Sequence, residues 1–170
     1  MSSRNWIKVF WAMALVVGLT LPSQAQDKNA KGGQLKTKVV IAFTGGSKGY
    51  LEAFNGQGGL ARQVTVLKQI RAQAKKDGAD FIALDSGNTI APFFFSRFNQ
   101  GKLMLQAMKE TGYVAMSPGN QEFVYGQNYL ISLSQASNPT LLAGNLYKGK
   151  NPLSKAYVIQ NLGGAKVGIF

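Results

Sequence analysis

Short apolar runs alternate with segments of helical periodicity through most of this chain. Four runs predict buried strands, at residues 38–44, 81–84, 113–116 and 140–143. Helical segments separate them, from residue 60 to the glycine at 78 and at residues 102–110 and 127–136. Strands joined by helical crossovers pair in parallel, because each crossover returns the chain to the same end of the sheet. The pattern therefore predicts an α/β layer.

Loops leave the carboxyl ends of the first three predicted strands, at residues 44–49, 85–89 and 117–122. In parallel sheets ligands bind beyond these ends. We therefore expect the three loops to converge and to hold any functional site. Residues 86–100 are predicted to be one continuous loop, and residues 156–160 and 166–170 to form a hairpin.

The N-terminus is typical of an export signal. Arg4 and Lys8 precede an apolar run at residues 9–21, and small residues follow up to Ala25. The run is shorter than the ~20 residues that span a bilayer. We predict a signal peptide at residues 1–25, a flexible leader at 26–37 and one folded domain at 38–170, in the periplasm or secreted, without a membrane span after cleavage. An uncleaved anchor is the alternative.

Composition limits the chemistry. The chain has no cysteine and no histidine, which excludes disulfides, thiolate metal sites and imidazole catalysis. Its formal net charge of +12 favours anionic partners, although a solvated basic surface explains the same charge. No nucleic-acid-binding motif accompanies the lysines, so we expect no nucleic-acid partner.

Several segments, in order along the chain, resemble one enzyme family. They read FTGGSKGYLE (43–52), GGLAR (58–62), LDSGNT (84–89), SPGNQEFVYG (117–126), AGNL (143–146) and GAKVGI (164–169). They are similar to the 5′-nucleotidase-like branch of the calcineurin-like metallophosphoesterase superfamily. The resemblance implies a layered α/β metallophosphoesterase-like fold, of which residues 38–170 cover the N-terminal half of the usual two-sheet sandwich.

The resemblance also implies a site for two divalent metal ions, and most of its ligands are replaced here. The family's first Asp and its His partner fall at Gly46 and Lys48, and the Asp that bridges both metals falls at Asn88. Asn120 stands as in the family. A glycine has no ligand atom, a protonated lysine cannot ligate, and a neutral amide is a poor bridge between two cations. We therefore expect no metal and no other cofactor.

The catalytic positions that the resemblance implies are replaced as well. The assisting histidine falls at Gln121 and its orienting Asp at Val124. The sequence given ends at Phe170, before the family's Gly-His-x-His segment. We therefore expect no catalytic residue among these positions.

A glycine-rich first loop suggests a second kind of site. Gly45, Gly46, Ser47 and Lys48, with Asn120 nearby, could hold a phosphate or nucleotide anion through backbone N–H groups and the ammonium. The spacing lacks the full phosphate-loop pattern. A decayed metal loop, kept by glycines that suit its turn, is the alternative.

Other polar and aromatic residues have two interpretations each. Asp85 could be a remaining metal ligand, or could close its strand by accepting loop N–H groups; Glu122 is expected to organise its loop in the same way. Of the three aromatic residues at 93–95, at least one is expected at the surface and the others in the core. Arg62 either faces the site or lies on a helix surface.

Two functional hypotheses follow. The first is an exported, non-catalytic 5′-nucleotidase-like protein that acts as a binding or subunit module, with a second chain covering the open face of its sheet; a truncated remnant explains the same replacements. The alternative is a metal-dependent phosphoester or nucleotide hydrolase completed by another chain.

Overall fold

The computed structural model of the chain describes residues 37–135 and 139–170. The predicted signal peptide and leader lie outside these residues, except for Thr37. The Thr37 hydroxyl donates to the backbone carbonyl of Gly163 at 2.6 Å. No helix in the described part of the chain is long and apolar enough to cross a membrane.

A parallel sheet of four strands in the order β1-β2-β3-β4 forms the centre of the fold. Its strands are Val39–Thr44, Asp80–Asp85, Tyr113–Met116 and Thr140–Leu141. The helices are α1 (Leu60–Lys76), α2 (Phe94–Asn99), α3 (Lys102–Thr111) and α4 (Gln127–Ser134), with a 3₁₀ helix at Asn120–Phe123. Two antiparallel hairpins follow: β5 (Tyr147–Lys148) with β6 (Asn151–Pro152), and β7 (Val158–Leu162) with β8 (Ala165–Ile169). The predicted α/β layer and the second hairpin are confirmed.

The helices pack on one face of the sheet. Buried side chains from α1, α3 and α4 (Leu67, Met108 and Leu130) join Ala83 and Met116 of the central strands in one apolar cluster. Successive parallel strands joined in order by right-handed crossovers place all their helices on the same side. The cluster is therefore the core.

An irregularity between β2 and β3 turns an extra side chain toward this core. Ala83 pairs with Tyr113, but the next residue of β2, Leu84, pairs with Ala115. Between these two pairs, β3 therefore contains one more residue than β2, as in a β-bulge. Because of this shift, Tyr113 and Met116 both join the core cluster although they are three residues apart.

The opposite face of the edge strand is open. Ile41 is 53% exposed and Phe43 is 69% exposed, whereas Ala42, between them, packs against the core. Alternate side chains of a strand point to opposite faces, so Ile41 and Phe43 lie on the face away from α1. In the described part of the chain, helices therefore cover only one side of the sheet along β1.

The prediction of a continuous loop at residues 86–100 is wrong, because α2 lies within it. Its aromatic sequence has low helix propensity and no side-chain cap. Tertiary contacts hold it instead: the Phe93 N–H donates to the Lys48 carbonyl at 3.0 Å, and the Tyr125 hydroxyl donates to the Ser96 carbonyl at 3.2 Å. Other boundaries differ too: α4 ends at Ser134, two residues before the predicted end, and β4 ends at Leu141 rather than 143. The strands of the second hairpin lie at residues 158–162 and 165–169 rather than at 156–160 and 166–170.

Candidate functional site

The first two loops are joined along their length by backbone hydrogen bonds. The N–H groups of residues 46, 48 and 49 donate to the carbonyls of residues 87, 88 and 89, at 2.8, 2.8 and 2.7 Å. Lys48 and Asn88 take positive φ angles of 49° and 55°, as the facing turns require. The expected convergence of the strand-end loops is confirmed for this pair.

Glu122 joins the third loop to the second. Its side chain is fully buried and accepts four backbone N–H groups: those of Asn88 and Gly119 at Oε2, at 2.8 and 2.7 Å, and those of Thr89 and Ile90 at Oε1, at 2.7 and 3.2 Å. Hydrogen bonds to a charged acceptor are stronger than those between neutral groups. The predicted role of Glu122 as a loop-organising acceptor is confirmed.

Asp85 has the same kind of role at the end of β2. Its Oδ1 accepts the Gly87 N–H at 2.8 Å and the Thr89 hydroxyl at 2.7 Å, and its Oδ2 accepts the Thr44 hydroxyl at 2.5 Å. The residue is 4% exposed. The interpretation that Asp85 closes its strand by accepting donors from the loop is confirmed.

A chain of side chains behind the loops leads to Asp85. The Thr44 hydroxyl donates a hydrogen bond to Asp85, so in its contact with Tyr113 the phenol is the donor, at 2.6 Å. The phenol oxygen also accepts a hydrogen bond from Nε2 of Gln63 at 3.0 Å. Burial raises the pKa of the Tyr113 phenol above 10.0; the hydrogen bond accepted from Gln63 lowers it, and the charge of Asp85 raises it. The phenol is therefore held as a neutral donor.

No sequence motif predicted that Gln63, Tyr113 and Thr44 form this network. Thr44 and Tyr113 are 69 residues apart, and Gln63 and Tyr113 are 50 apart. The one available signal was the position of Thr44, the last residue of a predicted strand whose loop belongs to the site. The β-bulge that turns Tyr113 toward the helices carries no such signal.

The positions of the implied metal ligands lie around these loops. Gly46 is exposed, with φ +68° and nothing within 4 Å of the site where a Cβ would stand. Lys48 and Asn120 are exposed. The side chain of Asn88 is partly buried, and its Oδ1 accepts the Gln121 N–H at 3.1 Å. The Asn88 amide therefore orders the turn at residue 121.

The amide lies directly over Gly119. A Cβ on Gly119 would stand 2.4 Å from Oδ1 of Asn88. Val124, the position of the implied orienting Asp, is 51% exposed. Within the two described ranges, no three His, Cys, Asp or Glu side chains come together in a cluster that could hold a metal ion.

The backbone of the first loop has few donors to offer an anion. The N–H groups of Gly46, Lys48 and Gly49 already donate to the second loop. An anion at this loop would depend on the side chains of Ser47, Lys48 and Asn120.

The remaining residues singled out from the sequence lie outside the three loops. Arg62 is exposed on α1, and its Nη1 donates to the Gly56 carbonyl, so it belongs to the helix surface. Phe94 is 59% exposed, as expected of at least one aromatic residue in this run. The expectation that the other two lie in the core is wrong: Phe95 is 42% exposed, and Phe93 is half-buried and lies outside the apolar core cluster. The Phe93 ring stacks on Tyr50 instead, with ring centroids 3.9 Å apart.

The amino-acid sequence is similar to those of several known proteins. No family model matches the chain. A snake venom 5′-nucleotidase from Naja atra is 31% identical over 121 residues, which is 66% of this chain and 22% of that protein. A 5′-nucleotidase from Vibrio parahaemolyticus is 23% identical over 172 residues, covering 99% of this chain and 30% of that protein. The chain thus spans less than a third of the length of these relatives.

Among solved structures, the fold matches a 5′-nucleotidase precursor from Thermus thermophilus. The TM-score is 0.66 at 23% identity, and the match covers 76% of this chain and 27% of that one. This likeness concerns the fold: a mixed α/β structure with a parallel sheet, of which the chain represents the N-terminal part.

Proposed function

The chain is 5′-nucleotidase-like and corresponds to an N-terminal part of that metallophosphoesterase fold, and on this premise we propose that it is an exported, non-catalytic binding or subunit module. The proposal rests on how the site uses its two carboxylates. Asp85 accepts three hydrogen bonds and Glu122 accepts four, all from the loops themselves. Both are committed to holding the loops together.

The residues at the family's metal positions do not fit two divalent cations. Gly46 offers no ligand atom, and Lys48 brings a positive charge to the place where cations would sit. Asn88 is neutral and already accepts a hydrogen bond from Gln121, while Asn120 alone is too little to hold two ions. Hard divalent cations are held by several oxygen ligands, carboxylates above all. We propose that the loops hold no metal pair and that the family's hydrolysis does not take place on this chain.

Two features support the subunit role. Ile41 and Phe43 present apolar side chains on a sheet face that the helices leave open, and an exposed apolar face of this kind marks an interaction site. A further chain, packed as a second sheet, would bury both. Export is supported by the basic and apolar N-terminal pattern.

The measurement that tests the proposal is metal content together with phosphate release. The purified protein is analysed for manganese and zinc after incubation with each, and is assayed with a nucleoside monophosphate. A 5′-nucleotidase treated in the same way serves as the positive control. We expect well below one equivalent of metal and no phosphate above the background. Stoichiometric metal with turnover would overturn the proposal.

A second candidate function is a nucleotide hydrolase completed by another chain. It is favoured by the relatives, which are named as 5′-nucleotidases and of which this chain spans only 22–30%. Cross-linking in cell envelopes, followed by assay of the recovered complex, distinguishes the two. Activity in the complex but not in the isolated chain supports this second function.

A further inference from the structure

Six aromatic rings form a continuous surface beside the first loop. Tyr50 stacks on Phe93, and its ring centroid lies 5.8 Å from that of Phe54. The ring centroids are 6.4 Å apart for Phe93 and Phe95, 5.5 Å apart for Phe95 and Phe94, and 5.1 Å apart for Phe94 and Phe98. We call these six residues the aromatic patch. None of them belongs to the apolar core cluster.

The outer rings of the aromatic patch face solvent. Phe54, Phe94, Phe95 and Phe98 are 60%, 59%, 42% and 76% exposed. A phenylalanine presents about 150–250 Å² when fully exposed, so the four rings offer on the order of 400 Å² of apolar surface. Apolar patches of about 300–600 Å² are the largest on a typical monomer and are often functional. Tyr50 and Phe93, the other two members of the patch, are half-buried and give the outer rings a fixed base.

The charge around the aromatic patch is positive. The two segments that carry it, residues 48–57 and 93–102, contain Lys48, Arg97 and Lys102 but only one carboxylate, that of Glu52. All four of these charged side chains are exposed. The whole chain has a net charge of +12, so the field at the patch attracts an anionic partner.

The exposed rings and the nearby cations indicate what kind of anionic partner fits. A bilayer surface takes up a few aromatic rings at the headgroup level, and cations beside them contact its anionic lipids. Protruding phenylalanine rings among basic side chains provide both. We propose that the aromatic patch docks the protein on an anionic lipid bilayer.

This docking would bring the strand-end loops to the membrane. Phe93 donates its N–H to the carbonyl of Lys48, and Tyr50 donates to that of Ser47. The first loop and the aromatic patch are therefore one connected piece of backbone. The inference does not depend on whether the loops hold an anion or a metal.

Co-sedimentation with lipid vesicles tests the inference. The protein is used as the cell processes it, with vesicles of phosphatidylcholine alone or with added phosphatidylglycerol. We expect binding to the vesicles that contain phosphatidylglycerol, and we expect Phe94→Ser with Phe98→Ser to weaken it at least about tenfold, because two rings no longer leave water. Arg97→Gln is expected to weaken it several-fold and to reduce its dependence on salt.

Phe43→Ser is the matched control. Phe43 is 69% exposed but lies on β1, outside the aromatic patch; its replacement is expected to leave vesicle binding unchanged. All variants share one N-terminus, so differences between them report on the patch. Urea unfolding checks that each variant is folded.

Three results would overturn the inference: no binding to either kind of vesicle, equal binding by the parent and the double variant, or an equal loss in Phe43→Ser. Sedimentation equilibrium adds a fourth. Self-association that the double variant abolishes would assign the aromatic patch to a second copy of the chain and not to lipid.

Discussion

Oε1 of Glu122 accepts the backbone N–H of Thr89 at 2.7 Å, across 33 residues of sequence. With the three other bonds to the same carboxylate, this contact closes the third loop onto the second. The fully buried carboxylate has a structural role. Its oxygens accept backbone N–H groups that have no partner in a strand or helix and would otherwise need water.

Glu122→Gln is expected to destabilise the protein by about 1–3 kcal/mol. An amide nitrogen cannot accept the N–H groups that now meet one of the two carboxylate oxygens, so buried donors lose their partner. Urea unfolding at neutral pH measures the loss. Glu110→Gln is the control, since Glu110 is exposed and accepts a hydrogen bond from Gln106 of the same helix. Equal stability of Glu122→Gln and the parent would contradict the role given to this carboxylate.

Gly87→Ala is expected to destabilise the protein by more than Gly46→Ala. Both glycines have positive φ angles, of 85° and 68°, so an alanine is strained at either position. A Cβ on Gly87 would also stand 2.2 Å from the Ser117 carbonyl oxygen and 2.5 Å from the Gly119 nitrogen, whereas Gly46 has open space. We expect about 1 kcal/mol for Gly46→Ala and a further 1–3 kcal/mol for Gly87→Ala.

The comparison is made by urea unfolding of the two variants side by side. Gly46→Ala is itself the control for backbone strain, because it shares the positive φ without the contact. Equal losses would mean that the second and third loops do not approach as closely as described.

Stability is expected to fall as the pH rises above about 10, and Tyr113 contributes to the fall. Burial raises the pKa of its phenol above 10.0 in the folded protein. The unfolded chain therefore releases this proton first, so the contribution of Tyr113 is fully present below the unfolded pKa and is lost as the pH approaches the folded pKa. Tyr113→Phe is expected to flatten the dependence.

Urea unfolding between pH 8 and 11 checks this expectation, together with the absorbance change of tyrosine ionisation in the folded protein. Tyr147→Phe is the control, because Tyr147 is 55% exposed. Burial also raises the pKa of Tyr129, so the parent is expected to keep part of the dependence in either variant. Identical pH profiles for Tyr113→Phe and Tyr147→Phe would contradict the prediction.

Phosphate and nucleotide are expected to bind weakly or not at all at the first loop. Its amides at Gly46, Lys48 and Gly49 already donate to the second loop, which leaves an anion mainly the side chains of Ser47, Lys48 and Asn120, of which only Lys48 is charged. Isothermal titration of the parent with phosphate and with a nucleoside monophosphate measures this. Heat that disappears in Lys48→Ala but remains in Lys109→Ala, on an exposed helix face, would establish an anion site.

The sequence predicted the framework of this site better than its internal contacts. Short apolar runs at β1, β2 and β3 fix a parallel sheet, and a parallel sheet brings its strand-end loops together whatever their sequence. The bonds from Thr44 to Tyr113 and Asp85 depend on strand register and on the bulge in β3, which no local pattern encodes. The missed helix α2 has the same cause: contacts with Lys48 and Tyr125, distant in sequence, stabilise a segment of poor helix formers.

The position of β1 at the edge of the sheet gives the molecule a natural place to open. Among the residues that the structure describes, this strand pairs only with β2; it carries Thr44, whose hydroxyl donates to Asp85, and the start of the first loop. Fluctuations that detach it would admit solvent to the Asp85 carboxylate and at the same time loosen Tyr50, at the base of the aromatic patch. Amide exchange that is fast along β1 and slow along β2 and β3 would reveal this motion, which would link the interior of the site to its surface.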